Sequence, residues 1–162
     1  MTLSARHGCS SLQARSCSMD KKMCMKTQVE FRSSKFPPYD GEEEEINPGR
    51  WGKRLAEYLA AKLAEKGIAT DEMAVEDWGC FLPIQNCGFR LALCCGHQTG
   101  DHDQFLVFTD PSTPSFRRWF WKIDATPQFC RLLGAVREIL EADPEIRDIE
   151  WNDYPVVKSS TP

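Results

Sequence analysis

The chain has 162 residues, 41% hydrophobic and 27% charged, which suits one domain with a real core and excludes a collagen-like, low-complexity or wholly disordered chain. No apolar stretch approaches the roughly 18 residues of a membrane-spanning helix, so no membrane association is expected. With 20 Lys+Arg against 24 Asp+Glu the net charge is −4, and no clustered basic face argues for nucleic-acid binding.

The charge is unevenly spread. Residues 1–25 hold Arg6, Arg15, Lys21 and Lys22 against Asp20, a net of +3, which leaves 16 basic and 23 acidic groups, or −7, in residues 26–162. The first 25 residues have neither apolar periodicity nor the continuous apolar run of a secretory signal. They read as a disordered or leader-like tail, with Met25 directly before the first strand. The expected division is therefore a tail over 1–25, a single domain over 26–152 and a frayed end over 153–162. Of eight cysteines, Cys9, Cys17 and Cys24 fall in the tail and five in the domain. An odd number, with no signal peptide, points to reduced thiols of a cytoplasmic protein rather than a disulfide scaffold.

Along the chain, Val29 to Arg32 alternates apolar and polar residues as a short strand does. Phe36 to Gly41 breaks it with two prolines and an Asp-Gly turn. After the acidic run Glu42 to Glu45, Asn47 as cap and Pro48 as first residue predict a helix over 48–66, with Trp51, Leu55, Leu59 and Leu63 on one face and Gly67 as its stop. Strands follow through Met73–Val75 and Trp78–Ile84, with a turn at Asn86–Gly88. Phe89, Leu91, Leu93 and Cys95 then share one strand face and Arg90, Ala92 and Cys94 the other. Gly96 to Asp103 is a polar hairpin loop, Phe105 to Thr109 the returning strand, and Asp110 to Pro114 its end. Phe116, Trp119, Phe120 and Ile123 match helical spacing with Trp121 out of place; the expectation leans to a helical turn over 116–123, with a strand left open. Thr126 as cap and Pro127 open a helix with Phe129, Leu132, Leu133, Val136, Ile139 and Leu140 in its apolar stripe, ended by Ala142-Asp143-Pro144. Ile146 to Trp151 adds an edge strand. This order predicts an α+β fold, a two-layer sandwich of a mainly antiparallel sheet with two principal helices on one face.

The nearest approach to a metal site is Cys94, Cys95, His97 and His102, with Asp101 and Asp103 beside them. Thiolate and imidazole are zinc ligands, and Cys95 and His97 share a strand face. No Cys-x-x-Cys pair is present, so Cys95, His97 and His102 are weak candidates and no metal or cofactor is expected. Cys94 or Cys95 with His97 as nucleophile and base lacks any surrounding signature, and a buried thiol beside an exposed loop histidine is the plainer reading. Glu76-Asp77 reads as a solvated strand entry rather than an acid–base pair. Gly49 to Arg54 places glycines and cations at a helix start where an anion could bind, but Glu42 to Glu45 lies just upstream and would neutralise that field. Trp121, beside Arg117, Arg118 and Lys122, has the composition of an interface anchor. The same cluster could stack on a nucleic-acid base, and one such cluster on an acidic domain carries little weight.

The run from Val29 through Phe36-Pro37-Pro38-Tyr39, Glu42 to Glu45 and Ile46-Asn47-Pro48-Gly49-Arg50-Trp51-Gly52-Lys53-Arg54 resembles a family of small bacterial single-domain proteins with no established activity. Glu76-Asp77-Trp78-Gly79, Thr109-Asp110-Pro111-Ser112 and Trp119-Phe120 through Lys122-Ile123-Asp124 fit the same resemblance, which covers about residues 26–151. It implies a bacterial, cytoplasmic, stand-alone domain and lends no site residues. With no coherent catalytic set, the expected function is a non-catalytic acidic protein-binding module of immunity, inhibitor or adaptor type. Its partner would be a protein with a basic surface, met by Glu42, Glu43, Glu44, Glu45 and Trp121. The alternative is a small thiol- or metal-dependent enzyme, or a zinc protein, built on the Cys/His cluster.

Overall fold

The elements run β1 (Gln28–Arg32), α1 (Glu42–Glu45), α2 (Lys53–Glu65), β2 (Ala74–Glu76), β3 (Gly79–Pro83), β4 (Ala92–His97), β5 (Gln104–Asp110), β6 (Ser115–Arg118), β7 (Trp121–Asp124), α3 (Thr126–Ala142) and β8 (Arg147–Asn152). The computed structural model describes residues 26–85, 88–98, 100–113, 115–118 and 121–153, and the side chains of 115–123 lie outside that description. The expected tail over 1–25 lies outside it too, as does all but Asp153 of the expected frayed end over 153–162. Six strands form one antiparallel sheet in the order β2-β3-β4-β5-β1-β8, and β6 and β7 pair as a separate hairpin. The α+β architecture with two main helices is the one expected, and β8 occupies the edge. Among the described residues no helix is long and apolar enough to cross a membrane.

Strand alternation decides which side chains face the helices. Val29, Phe31, Leu82, Leu93, Cys95, Phe105 and Val107 are buried in one cluster with Leu55, Leu59 and Leu63 of α2 and Phe129, Leu132, Val136 and Leu140 of α3. Each large side chain so buried contributes roughly 1.5–3 kcal/mol before entropy is counted. The face expected for Leu91, Leu93 and Cys95 is thus the core face, although β4 itself starts at Ala92.

The first long helix starts later than expected. Gly49 adopts φ 73°, Arg50 N donates to Asn47 O, and the chain reaches Lys53 before the helix begins. Asn47 does not cap it; its side-chain amide donates to Asp77 O. The competing interaction is tertiary. Trp51 O accepts the His97 amide at 2.7 Å, so this segment meets the end of β4 that lies beyond Gly79, the first residue of β3. At both Gly52 and Gly79 a Cβ would stand 2.4 Å from Cys95 O, so neither position has room for a side chain. The stop is as expected. Gly67 at φ 72° sends its N–H to Ala64 O and Ile68 N–H returns to Leu63 O, the paired bonds of a Schellman ending.

Residues 116–123 are a correction. Ser115, Phe116, Arg117 and Arg118 pair with Asp124, Ile123, Lys122 and Trp121 in an antiparallel hairpin, not a helical turn. Eight residues are too few for their spacing to separate the two periods, and the aromatic and β-branched content favours strands. In α3, Thr126 is the first helical residue rather than the cap, and Asp124 Oδ1 accepts its N–H at 3.0 Å. Cys80, Cys94 and Cys95 are free and buried, whereas Cys130 on α3 is disulfide-bonded, so the expectation of uniformly reduced thiols fails there.

Candidate functional site

The same alternation that fills the core sets a second group of side chains on the opposite face. Phe81 of β3, Cys94 and Gly96 of β4, and Leu106, Phe108 and Asp110 of β5 follow the parity away from the helices. With Trp78 from the tight turn between β2 and β3, they line an open groove of about 650 Å³. Arg50, Glu76, Arg90, Gln98 and Ser112 also line it. Trp78 and Phe108 meet with ring centroids 5.7 Å apart and planes tilted by 46°. Arg90 lies over the Phe81 ring at 4.7 Å and pairs loosely with Asp110 at 3.5 Å. Trp78, Phe81, Leu106 and Phe108 are only half-buried, so the groove keeps an aromatic floor in contact with solvent.

Beyond Leu106 the same face turns acidic. Glu30 of β1 lies opposite Glu150 of β8 in the ladder, and Glu150 is exposed with no partner among the described residues. Glu30 accepts from Gln28 at 3.1 Å, with a longer contact to Gln104 at 3.4 Å. Like charges directly opposite each other on neighbouring strands are destabilising. A cationic partner would remove that repulsion.

The acidic run expected to meet a partner divides by position. Glu42 is buried and its carboxylate is fully engaged: Oε1 accepts Gly52 N at 2.9 Å and Lys53 N at 2.8 Å, and Oε2 accepts Tyr39 N at 2.8 Å. It caps α2 from the short α1, so its carboxylate is turned to backbone amides rather than outward. Glu43 accepts Gly49 N at 3.1 Å. Glu44 and Glu45 remain exposed. The side chain of Trp121 lies outside the described residues.

The cysteine–histidine cluster does not converge. Cys95 points into the core, while His102 is exposed in the hairpin loop. His97 is buried and stacked on Trp51 at 3.4 Å. Its Nδ1 faces Gly49 O at 3.0 Å and its Nε2 faces Asp101 O, so each ring nitrogen has a backbone carbonyl against it. Among the described residues no group of three or more His, Cys, Asp or Glu side chains is arranged to hold a metal. Burial pushes the Cys80 and Cys94 thiols up to about 12 and the Cys95 thiol well above its usual value, far from a reactive thiolate.

Sequence reasoning missed the groove. Arg50 stands in a helix start weighed as an anion site and set aside for the acids upstream, and Trp78 and Phe81 read only as a strand entry. The usable signal was parity: Leu106 and Phe108 are large apolar residues on the face of β5 opposite the core. Comparison with protein-family models, with curated proteins and with solved structures found no match to this chain.

Proposed function

We propose that the protein is a non-catalytic binding module of immunity, inhibitor or adaptor type that docks a basic protein partner on the helix-free face of its sheet. The observation that carries this reading is the pattern on that face, an aromatic floor of Trp78, Phe81 and Phe108 continuing into the opposed carboxylates Glu30 and Glu150. Half-exposed aromatic residues supply the anchor, and the acidic flank steers and orients a cationic surface. Glu44 and Glu45 are exposed and add to the negative charge of the chain. The raised thiols and the burial of His97 between Trp51 and two backbone carbonyls favour binding over chemistry at the cysteine–histidine cluster.

The test is site-directed photocrosslinking in the native cell with the full chain. A benzophenone amino acid is placed at Phe108 in the groove or at Glu141, exposed on α3. A crosslink to one basic protein from position 108 and none from 141 supports the reading. Exchange of Glu30 and Glu150 for Gln should then weaken the purified complex at low salt and flatten its salt dependence. Equal crosslinking from both positions, or affinity indifferent to both exchange and salt, would overturn it.

A further inference from the structure

We propose that Arg50 is the receptor for a carboxylate bound in the groove, specifically the C-terminal carboxylate of the basic partner, whose last apolar side chain lies on Trp78 and Phe108. This rests on the binding reading above and adds to it the chemistry of the bound segment.

An inventory of the guanidinium groups singles out Arg50. Arg32, Arg90, Arg137 and Arg147 each have a carboxylate within ion-pair distance, Arg131 donates to Gly67 O, and Arg54 stacks over Tyr39 at 3.8 Å. Among the arginines with described side chains, Arg50 alone has no ion pair, hydrogen bond or ring contact through its side chain. It is also half-buried, beside the aromatic floor. A guanidinium that has lost part of its hydration without gaining a partner binds an anion more strongly than one on open surface.

The acids that the sequence places nearest do not answer it. Glu42 and Glu43 spend their carboxylates on the backbone amides of Tyr39, Gly49, Gly52 and Lys53. The neutralisation expected at this helix start therefore reaches the amides and not the Arg50 side chain. Gln98 lines the same groove, and its side-chain amide has no partner among the described residues, so it offers a further N–H donor.

A planar guanidinium fork matches both oxygens of a carboxylate. A chain terminus joins that carboxylate to its last side chain through a single Cα, the short reach needed when the cation and the apolar floor line one groove. A protein rich in Lys and Arg has few acidic side chains to offer, but every chain ends in one carboxylate. Capture of such a terminus is a known recognition mode. The rest of the segment, being basic, would run toward Glu76, Glu30 and Glu150.

The test is fluorescence anisotropy of the full chain with two labelled probes of sequence Lys-Arg-Lys-Ala-Leu-Phe, one with a free C-terminal carboxylate and one carboxamide. The free acid should bind about tenfold more tightly or better. Arg50→Gln, with its fold verified by circular dichroism, should bring the acid down to the affinity of the amide, and Trp78→Ala should weaken both probes. Equal binding of acid and amide to the wild-type chain, or discrimination that survives Arg50→Gln, would overturn the carboxylate assignment; sensitivity to Trp78→Ala would then leave the groove reading standing. Binding of neither probe would overturn the assignment, and photocrosslinking at position 108 would decide the groove reading separately.

Discussion

Strand β5 carries two different surfaces on one backbone. Phe105 and Val107 point into the helices and are essentially inaccessible, with Phe105 stacked on Phe31 at 5.9 Å and set edge-on to Phe36 at 5.6 Å. Leu106 and Phe108, one residue along in each case, stand half-exposed in the groove. The residue types are alike, so hydrophobicity alone does not say which serves stability. The difference is in what the partners leave unsatisfied. The core face is closed by α2 and α3, whereas the other face retains wetted aromatic rings, an unpaired guanidinium and two opposed carboxylates.

The sharpest way to break this comparison is to truncate the same side chain on each face. Phe105→Ala should lower unfolding free energy by about 3–5 kcal/mol, because the cavity is sealed by packed neighbours. Phe108→Ala should cost about 1 kcal/mol or less, because solvent already reaches the site, and should instead weaken partner binding. Urea unfolding of the two variants, followed by tryptophan fluorescence, checks both. Equal losses would mean that the second face is also core.

A smaller effect is expected at the seam where three segments meet. Gly79→Ala places a methyl 2.4 Å from Cys95 O at a residue with φ 148°, a conformation L side chains rarely adopt, and should destabilise by about 2–3 kcal/mol. The backbone must yield there, since the obstructing atom is a strand carbonyl. Gly88→Ala, also at positive φ but with open space around its Cβ, separates conformational strain from the clash. If the two variants lose equal stability, the close approach contributes nothing.

The acidic turn offers the same contrast within four residues. Glu42→Ala strips the acceptor from three backbone amides and should cost about 1–2 kcal/mol. Glu44→Ala and Glu45→Ala should stay within about 0.5 kcal/mol. Thermal unfolding of the three variants side by side distinguishes a capping carboxylate from surface ones; a Glu42 variant as stable as the others would return the whole run to the surface role.

How far the sequence reveals these assignments follows from the range of the interactions. The stripe of α3 and the Gly67 stop depend on neighbours within one or two turns, and both are legible. Alternation in β4 is local too, and it correctly divides Leu93 and Cys95 from Cys94. The start of α2 is misread because Asn47 and Pro48 favour a helix locally, while Trp51 O is engaged by His97, far along the chain. The β6–β7 hairpin is misread because a short aromatic run fits both periods. The groove is illegible for a third reason. Its members Arg50, Trp78 and Phe108 come from separate segments, and each has an innocuous local explanation.

The smallest effect concerns a polar contact linking the two helices. Asp143, just after α3, accepts from Lys35 Nζ at 2.6 Å and from Tyr58 Oη of α2 at 2.7 Å. Burial alone would raise its carboxyl, but the bonds from Lys35 and Tyr58 outweigh burial and hold it below the usual carboxylate range. With the folded value below the unfolded one of about 3.9, ionised Asp143 stabilises the fold fully above that pH, and the contribution is lost as pH falls through the folded value. Asp143→Asn should therefore shift the neutral-pH urea midpoint only slightly, by the equivalent of about 1 kcal/mol. It should also make the acid limb shallower, because one proton fewer is taken up on unfolding. An acid limb as steep as that of the wild type would place the acid sensitivity in other carboxylates. Tyr58→Phe separates the two bonds: the Lys35 pair persists, so most of the acid limb should remain.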